Sequence, residues 1–113
     1  MTTAKKTIYL AGKVTGLPAE QVQVKFDRKE EELKRNDVDV VNPVRLVECH
    51  NQSMNMIGHS WALLDTWEKQ MRFCIVRMMT CDEVHMLPCW KESRGAILER
   101  DIAMRLGMHV VYH

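Results

Sequence analysis

The sequence lacks an excess of charge of either sign. Its 16 Lys and Arg residues nearly balance 15 Asp and Glu residues, which leaves a formal net charge of +1. A protein that binds duplex nucleic acid mainly through charge presents a strongly basic surface to the phosphates. The balance therefore argues against duplex nucleic acid as a partner.

Long hydrophobic runs are also missing. The apolar stretch nearest the N-terminus, residues 8–11, is much shorter than the roughly 20 residues of a membrane-spanning helix. It is also shorter than the apolar segment of a secretory signal. We therefore expect a cytoplasmic protein with no membrane partner.

No Cys-x-x-Cys pair occurs in the chain, so the sequence gives little support for a structural zinc site or a redox dithiol. The four cysteines are Cys49, Cys74, Cys81 and Cys89. In a reducing compartment they are expected to be free thiols. A zinc site could be assembled from Cys49, His50 and His59, but their spacing fits no common zinc pattern. We expect no metal and no organic cofactor.

Glycine and proline are scarce, with five and three residues, and no repeat or low-complexity segment divides the chain. The hydrophobic share is 46%, which is ordinary for a globular protein and too high for a disordered one. A chain of 113 residues is then expected to form one domain.

Hydrophobic periodicity predicts alternating strands and helices. The strands are predicted at residues 7–11, 38–41, 82–87 and 108–112, and the helices at 19–36, 60–79 and 93–106. Residues 45–59 show no clear period and are predicted to be an irregular or weakly helical mobile loop. Alternation of this kind favours a parallel sheet with helices on both faces. We predict a small α/β, flavodoxin-like doubly wound sheet of four strands in the order 2-1-3-4.

Such sheets bind ligands at the carboxyl ends of the strands, where the winding direction reverses. Here that point lies between strands one and three, where the loops 12–16 and 88–93 meet. The first loop runs from Gly12 to Gly16 and could wrap a phosphate with backbone N–H groups, helped by Lys13 and Thr15. Trp90 in the second loop could stack on a base, although a core or interface role is the more common one.

The last predicted helix carries a carboxylate on its apolar stripe, which otherwise comprises Gly95, Ile102, Ala103 and Leu106. Glu99 lies four residues after Gly95 and three before Ile102. Burial there raises the pKa of a carboxyl group, although Glu99 could also sit at the stripe's edge beside an arginine. Gly95 indicates a close approach by another group, and Ser93 suits either a helix N-cap or an anion.

Several short motifs occur together. They are Ile8-Tyr9-Leu10-Ala11-Gly12, Val41-Asn42-Pro43, Cys81-Asp82, Leu87-Pro88-x-Trp90-x-x-Ser93-x-Gly95-Ala96-x-x-Glu99, Ala103 and Leu106-Gly107. In this combination the chain resembles a family of small, largely uncharacterised phage and bacterial proteins. That family is similar to the nucleoside 2-deoxyribosyltransferases and the deoxyribonucleotide N-glycosidases.

The resemblance implies cleavage or transfer at the N-glycosidic bond of a deoxynucleoside or its 5′-monophosphate. It assigns Glu99 as the nucleophile that forms a covalent glycosyl-enzyme, Tyr9 as the residue that positions it, and Ser93 as a phosphate contact. Through the same motifs, Asn42 and Asp82 join Gly12, Lys13, Thr15, Gly16, Trp90, Ser93 and Gly95 in the predicted substrate-binding set. The resemblance also implies a homodimer or larger assembly. Trp61 and Trp67 would suit its interface.

At two positions this chain departs from the sequence pattern of those enzymes, and these departures favour other functions. The transferases carry an additional aspartate beside the nucleophile, and the aligned residue here is Cys74. The nucleotide-cleaving members carry an arginine where this chain has Thr15. A module that binds a nucleotide or a nucleotide-derived signal without cleaving it is therefore the second hypothesis. A flavodoxin-type electron carrier is a weaker third.

Overall fold

The computed structural model describes residues 5–113. Four parallel strands form one sheet in the order β2-β1-β3-β4. They are β1 (Thr7–Ala11), β2 (Asp39–Val41), β3 (Glu83–Met86) and β4 (His109–Tyr112). The predicted flavodoxin-like order 2-1-3-4 is confirmed.

Four α-helices connect or cover the strands. They are α1 (Ala19–Lys34), α2 (Pro43–Met56), α3 (Trp67–Met78) and α4 (Arg94–Arg105), with short 3₁₀ turns at Ser60–Ala62 and Trp90–Glu92. None of the helices in residues 5–113 combines the length and the apolar character needed to cross a lipid bilayer.

The central strand β1 divides its side chains between two cores, because successive residues of a strand point to opposite faces. Ile8 and Leu10 pack with Phe26 of α1 on one face. Tyr9 and Ala11 pack on the other face with residues of α3 and α4. Helices thus cover both faces of the sheet, and Tyr9 points into the layer that holds Glu99.

The prediction of a mobile loop at residues 45–59 was wrong, because α2 occupies most of that segment. Asn42 caps this helix: its side-chain oxygen accepts hydrogen bonds from the N–H groups of Val44 and Arg45. Pro43 occupies the first helical position, where a missing N–H costs nothing. The Asn42-Pro43 pair follows the end of the predicted strand 38–41, where proline stops a strand, and it also starts a helix.

The predicted helix at residues 60–79 was too long at its N-terminus. Ser60 begins only a single 3₁₀ turn, and Leu63 is in an extended conformation. The helix begins after Thr66, whose hydroxyl accepts a hydrogen bond from Lys69 N at 3.2 Å. A capping threonine therefore sets the boundary.

Helix α4 agrees with the prediction except at its last stripe position. Gly95, Glu99 and Ala103 are buried, but Leu106 is 62% exposed. Leu106 is the C-cap, so it no longer follows the helical stripe, and Gly107 ends the helix with φ = +75°. Glycine adopts this left-handed conformation without the strain that a side chain imposes.

Candidate functional site

A cavity of about 290 Å³ opens beside the carboxyl end of β1, between α2, α3 and the first half of α4. Its lining comes from four parts of the chain. These are Tyr9, Gly12, Val14 and Thr15 from β1 and the following loop; Pro43, Val44, Val47 and Glu48 from α2; Trp67, Gln70, Met71 and Cys74 from α3; and Ser93, Gly95, Ala96 and Glu99 from the start of α4.

Glu99 is the buried carboxyl group of this cavity, with 5% of its surface exposed. The hydroxyl of the fully buried Tyr9 donates a hydrogen bond to Glu99 Oε2. Burial raises the pKa of Glu99 to about 7, and the hydrogen bond from Tyr9 works in the opposite direction. Glu99 therefore changes its charge near neutral pH.

Cys74 completes a small cluster with Tyr9 and Glu99. Burial, and next the negative charge of Glu99, raise the pKa of the Cys74 thiol to about 11. The same two causes raise the pKa of Tyr9 well above 10. Tyr9 and Cys74 thus keep their protons at neutral pH, and Glu99 is the group of the three that titrates there.

Two glycines allow the chain to come close around the cavity. A Cβ added at Gly12 would lie 2.8 Å from Leu87 Cδ1 and 3.0 Å from Leu87 Cβ. A Cβ at Gly95 would lie 3.0 Å from Met71 Sδ. The close approach expected at Gly95 is therefore made by α3.

Ser93 is the N-cap of α4, and its Oγ accepts a hydrogen bond from Ala96 N at 3.1 Å. The residue also lines the cavity. Ser93 therefore caps the helix, as predicted, and lies at the site as well. Six predicted site residues meet in this cavity: Tyr9, Gly12, Thr15, Ser93, Gly95 and Glu99.

Three other predicted residues lie in the adjoining loops but outside the cavity lining. The Lys13 ammonium group is 3.9 Å from the Glu92 carboxylate. Gly16 has φ = +85° and open space around it. Trp90 packs against Tyr112 at 5.6 Å between ring centroids.

Asn42 and Asp82 are held elsewhere by structural contacts. Besides capping α2, Asn42 donates from Nδ2 to Asp27 at 2.9 Å and to Glu30 at 3.1 Å. Asp82 precedes β3 and accepts a hydrogen bond from Thr7 N at 2.8 Å. It therefore lies at the amino end of the strands, opposite the end where such sheets bind ligands.

The sequence-based prediction missed the wall formed by α2 and α3. From the sequence, Trp67 is predicted at an oligomer interface and Cys74 aligns with an acid beside the nucleophile, but Gln70 and Met71 are not predicted to line the site. The guanidinium of Arg94 lies 3.5 Å from the centroid of the Trp67 ring, which joins α3 to α4. The helical period at residues 67–74 was the available signal.

The alternative zinc site is not assembled. His50 Nε2 is 2.9 Å from the Ala62 carbonyl oxygen, and the His59 ring stacks on Trp61. Across residues 5–113, no three His, Cys, Asp or Glu side chains are grouped so as to hold a metal ion.

Comparison with known proteins defines the family. No curated protein and no solved structure matches the chain. A family model described as a domain of unknown function, DUF4406, matches residues 6–112, almost the whole chain. This protein therefore belongs to the DUF4406 family.

Proposed function

We propose that the protein cleaves or transfers the N-glycosidic bond of a deoxynucleoside or its 5′-monophosphate. The observation that carries the proposal is the buried Glu99 carboxyl group in the cavity, with the Tyr9 hydroxyl on one of its oxygens. The likeness of the motifs to nucleoside 2-deoxyribosyltransferases supports the reaction type.

In the first step, the ionised Glu99 attacks the anomeric carbon C1′ of the sugar through Oε1, the oxygen that Tyr9 does not hold. A C1′–O ester bond forms and the C1′–N bond breaks. The bonding electrons leave with the base, which takes up one proton from water. This is covalent catalysis by a carboxylate.

In the second step, water attacks C1′ and the ester bond breaks. Its electrons return to the Glu99 carboxylate, and the proton lost by water passes to solvent. When the ring nitrogen of a second base attacks instead, the result is transfer. Because only the carboxylate is a nucleophile, a pKa near 7 keeps about half of Glu99 reactive at neutral pH.

The rest of the cavity supplies contacts for the sugar. Thr15 and Ser93 bring hydroxyl groups to the lining, and Gly95 lets Met71 of α3 pack against the start of α4. The volume of about 290 Å³ is at the small end of the range for ligand pockets, roughly 300–1,000 Å³. It suits one small ligand such as a nucleoside.

A direct assay tests this proposal. The protein is incubated with deoxynucleosides and their 5′-monophosphates, and free base is separated by chromatography. We expect base release that is lost in Glu99→Gln and kept in Glu31→Gln, a matched change on the exposed surface of α1. Equal release by the Glu99→Gln variant would contradict the role of Glu99.

A second candidate is a module that binds such ligands without cleaving them. Cys74 favours it, because a thiol with a pKa of about 11 stays neutral where the related transferases carry an additional acid. Ligand binding without release of base by the unmodified protein would support this candidate over the enzyme.

We further propose a homodimer that acts in the cytosol. Trp61 is 78% exposed, which is unusual for so large an apolar side chain, whereas Trp67 is committed to the cavity wall. All four cysteines are free, as in a reducing compartment. Light scattering should give a dimer mass for the protein and a monomer mass for Trp61→Ser; a monomer for both would exclude the dimer.

A further inference from the structure

The cavity contains carboxylates but no cation among its lining residues within the described part of the chain. Its charged side chains are Glu48 and Glu99. Two basic residues next to lining residues in the chain are engaged outside the lining: Lys13 pairs with Glu92, and Arg94 lies over the Trp67 ring. An anionic ligand would therefore bring negative charge toward two carboxylates without direct compensation.

The amide of Gln70 has a defined orientation. Its Nε2 lies 3.0 Å from the Leu64 carbonyl oxygen, and a carbonyl can only accept a hydrogen bond. The NH₂ group must therefore point to Leu64, and one of its two N–H groups is used there. The carbonyl oxygen Oε1 accepts no hydrogen bond from the described residues, so Gln70 offers a ligand an acceptor at this position.

Glu48 on α2 also presents hydrogen-bond acceptors to the cavity. An ionised carboxylate has acceptor sites only, and one of its oxygens receives a weak hydrogen bond from Gln52 at 3.3 Å. Trp67 on α3 carries an indole N–H donor, but its Nε1 is turned toward Gly95 of α4. The wall formed by Glu48 and Gln70 thus offers lone pairs to a ligand.

The distance along α3 fits a nucleobase. Gln70 lies four residues before Cys74, which is about 6 Å along a helix axis, and Cys74 lies beside Tyr9 and Glu99. A sugar carbon placed at Glu99 would leave the far edge of its base near Gln70.

We propose that the cavity selects an unphosphorylated deoxynucleoside whose base carries an exocyclic amino group, which donates to Gln70 Oε1 and to Glu48. Deoxyadenosine and deoxycytidine meet this description. The inference rests on the proposed function, which places the sugar at Glu99. Beyond that function, it specifies a base that donates hydrogen bonds and a sugar without phosphate.

Binding to the Glu99→Gln variant tests the inference without turnover. Titration calorimetry, or the tryptophan fluorescence to which Trp67 in the cavity wall contributes, would compare deoxyadenosine with deoxyinosine, and deoxycytidine with deoxyuridine. In each pair an oxygen replaces the amino group, so the exocyclic position changes from donor to acceptor, and the adjacent ring nitrogen gains a hydrogen. We expect about 10- to 100-fold weaker binding of each oxo partner, the usual effect of one mismatched hydrogen-bond pattern. Deoxyadenosine 5′-monophosphate should also bind more weakly than deoxyadenosine, because the Glu48 carboxylate remains in this variant.

Two further substitutions, each made in the Glu99→Gln protein, test which residues cause these binding preferences. Gln70→Met keeps the length of the side chain and removes the acceptor, so the preference for amino-bearing bases should fall to a few-fold. Glu48→Gln should reduce the penalty against the monophosphate. Gln23→Met, on the exposed surface of α1, is the matched control and should leave both preferences unchanged.

The outcomes separate this inference from the proposed function. Base release by the unmodified protein, with equal binding of amino and oxo partners or tighter binding of the monophosphate, would overturn the inference and leave the enzyme standing. Selective binding without release would support the inference and the binding module. If none of the nucleosides binds, the inference is overturned; if in addition the monophosphate does not bind and the unmodified protein releases no base, the proposed function is overturned as well.

Discussion

The Tyr9 hydroxyl donates a hydrogen bond to Glu99 Oε2, and the two residues are 90 positions apart in the chain. The donor comes from the central strand of the sheet, and the acceptor comes from α4. Because both side chains are buried, neither can exchange this partner for water. The pair fixes one carboxylate oxygen and leaves the other for a ligand.

Replacing Tyr9 by Phe should raise the pKa of Glu99 further above its value of about 7. A hydrogen bond to a charged group contributes roughly 1.5–3 kcal/mol, which corresponds to about one to two pKa units. The proposed base release at pH 7 should fall about 10-fold or more. The acidic limb of the pH profile of kcat/KM should move to higher pH.

Tyr112→Phe is the matched control, because Tyr112 is the only other tyrosine of the chain and bonds Arg100 outside the cavity. It should leave the profile unchanged. An acidic limb at the same pH in Tyr9→Phe would show that the hydroxyl does not tune Glu99.

Stability should depend on pH through Glu99. Its pKa is about 7 in the folded chain against 4.5 for an ordinary glutamate, so folding favours the protonated form. The resulting stabilisation is complete below pH 4.5 and is lost as the pH rises through 7. Relative to Glu99→Gln, the free energy of unfolding should fall by about 3 kcal/mol between pH 4.5 and 8.

Urea unfolding of both proteins across this pH range measures that difference. The glutamine can still accept the hydrogen bond from Tyr9, so the comparison isolates the charge. A difference that does not vary with pH would show that Glu99 titrates normally.

Gly12→Ala should destabilise the fold by about 1–3 kcal/mol, the usual cost of overpacking. The added Cβ would meet Leu87 Cβ at 3.0 Å, close to the backbone, where the side chain has little freedom to move. Gly95→Ala should cost less, because the obstructing atom is the flexible Met71 Sδ and alanine favours the helix.

A double-mutant cycle with Leu87→Ala tests the cause. The cost of Gly12→Ala in urea unfolding should shrink once Leu87 is truncated. An unchanged cost would show that the contact with Leu87 is not its cause.

Asn42→Ala should lower the free energy of unfolding by about 2–3 kcal/mol. The change removes the cap of α2 and the amide that donates to Asp27 and Glu30, each of which contributes roughly 1 kcal/mol or more. Asn42→Asp keeps the cap but adds a negative charge, so part of its stability should return on acidification.

Chemical denaturation and nucleoside binding distinguish the two roles of Asn42. Weaker nucleoside binding with unchanged stability would place the residue in the site after all.

The parts of the fold predicted from sequence are those with a strong local pattern. The apolar run of β1 and the spacing of Gly95, Glu99 and Ala103 each determine a structural element and its buried face. Winding rules then bring β1 and α4 together. The order of the strands followed from the alternation of elements and needed no contact information.

The missed parts depend on contacts between distant segments or on competing signals. Asn42-Pro43 both ends a strand and starts a helix, and the strand interpretation hid α2. Asp82 was assigned to the site by motif, although its place before β3 puts it at the wrong end of the sheet. The role of Gln70 depends on the Leu64 carbonyl, which no periodicity reveals.

The sheet order has a consequence for synthesis on the ribosome. β1 is made first, but its neighbour β3 begins at Glu83, and the glutamate that Tyr9 contacts is made later still. A nascent chain that stops after α3 therefore contains most of the cavity wall but no Glu99. The cavity is therefore complete only after α4 has been made and has docked on the sheet.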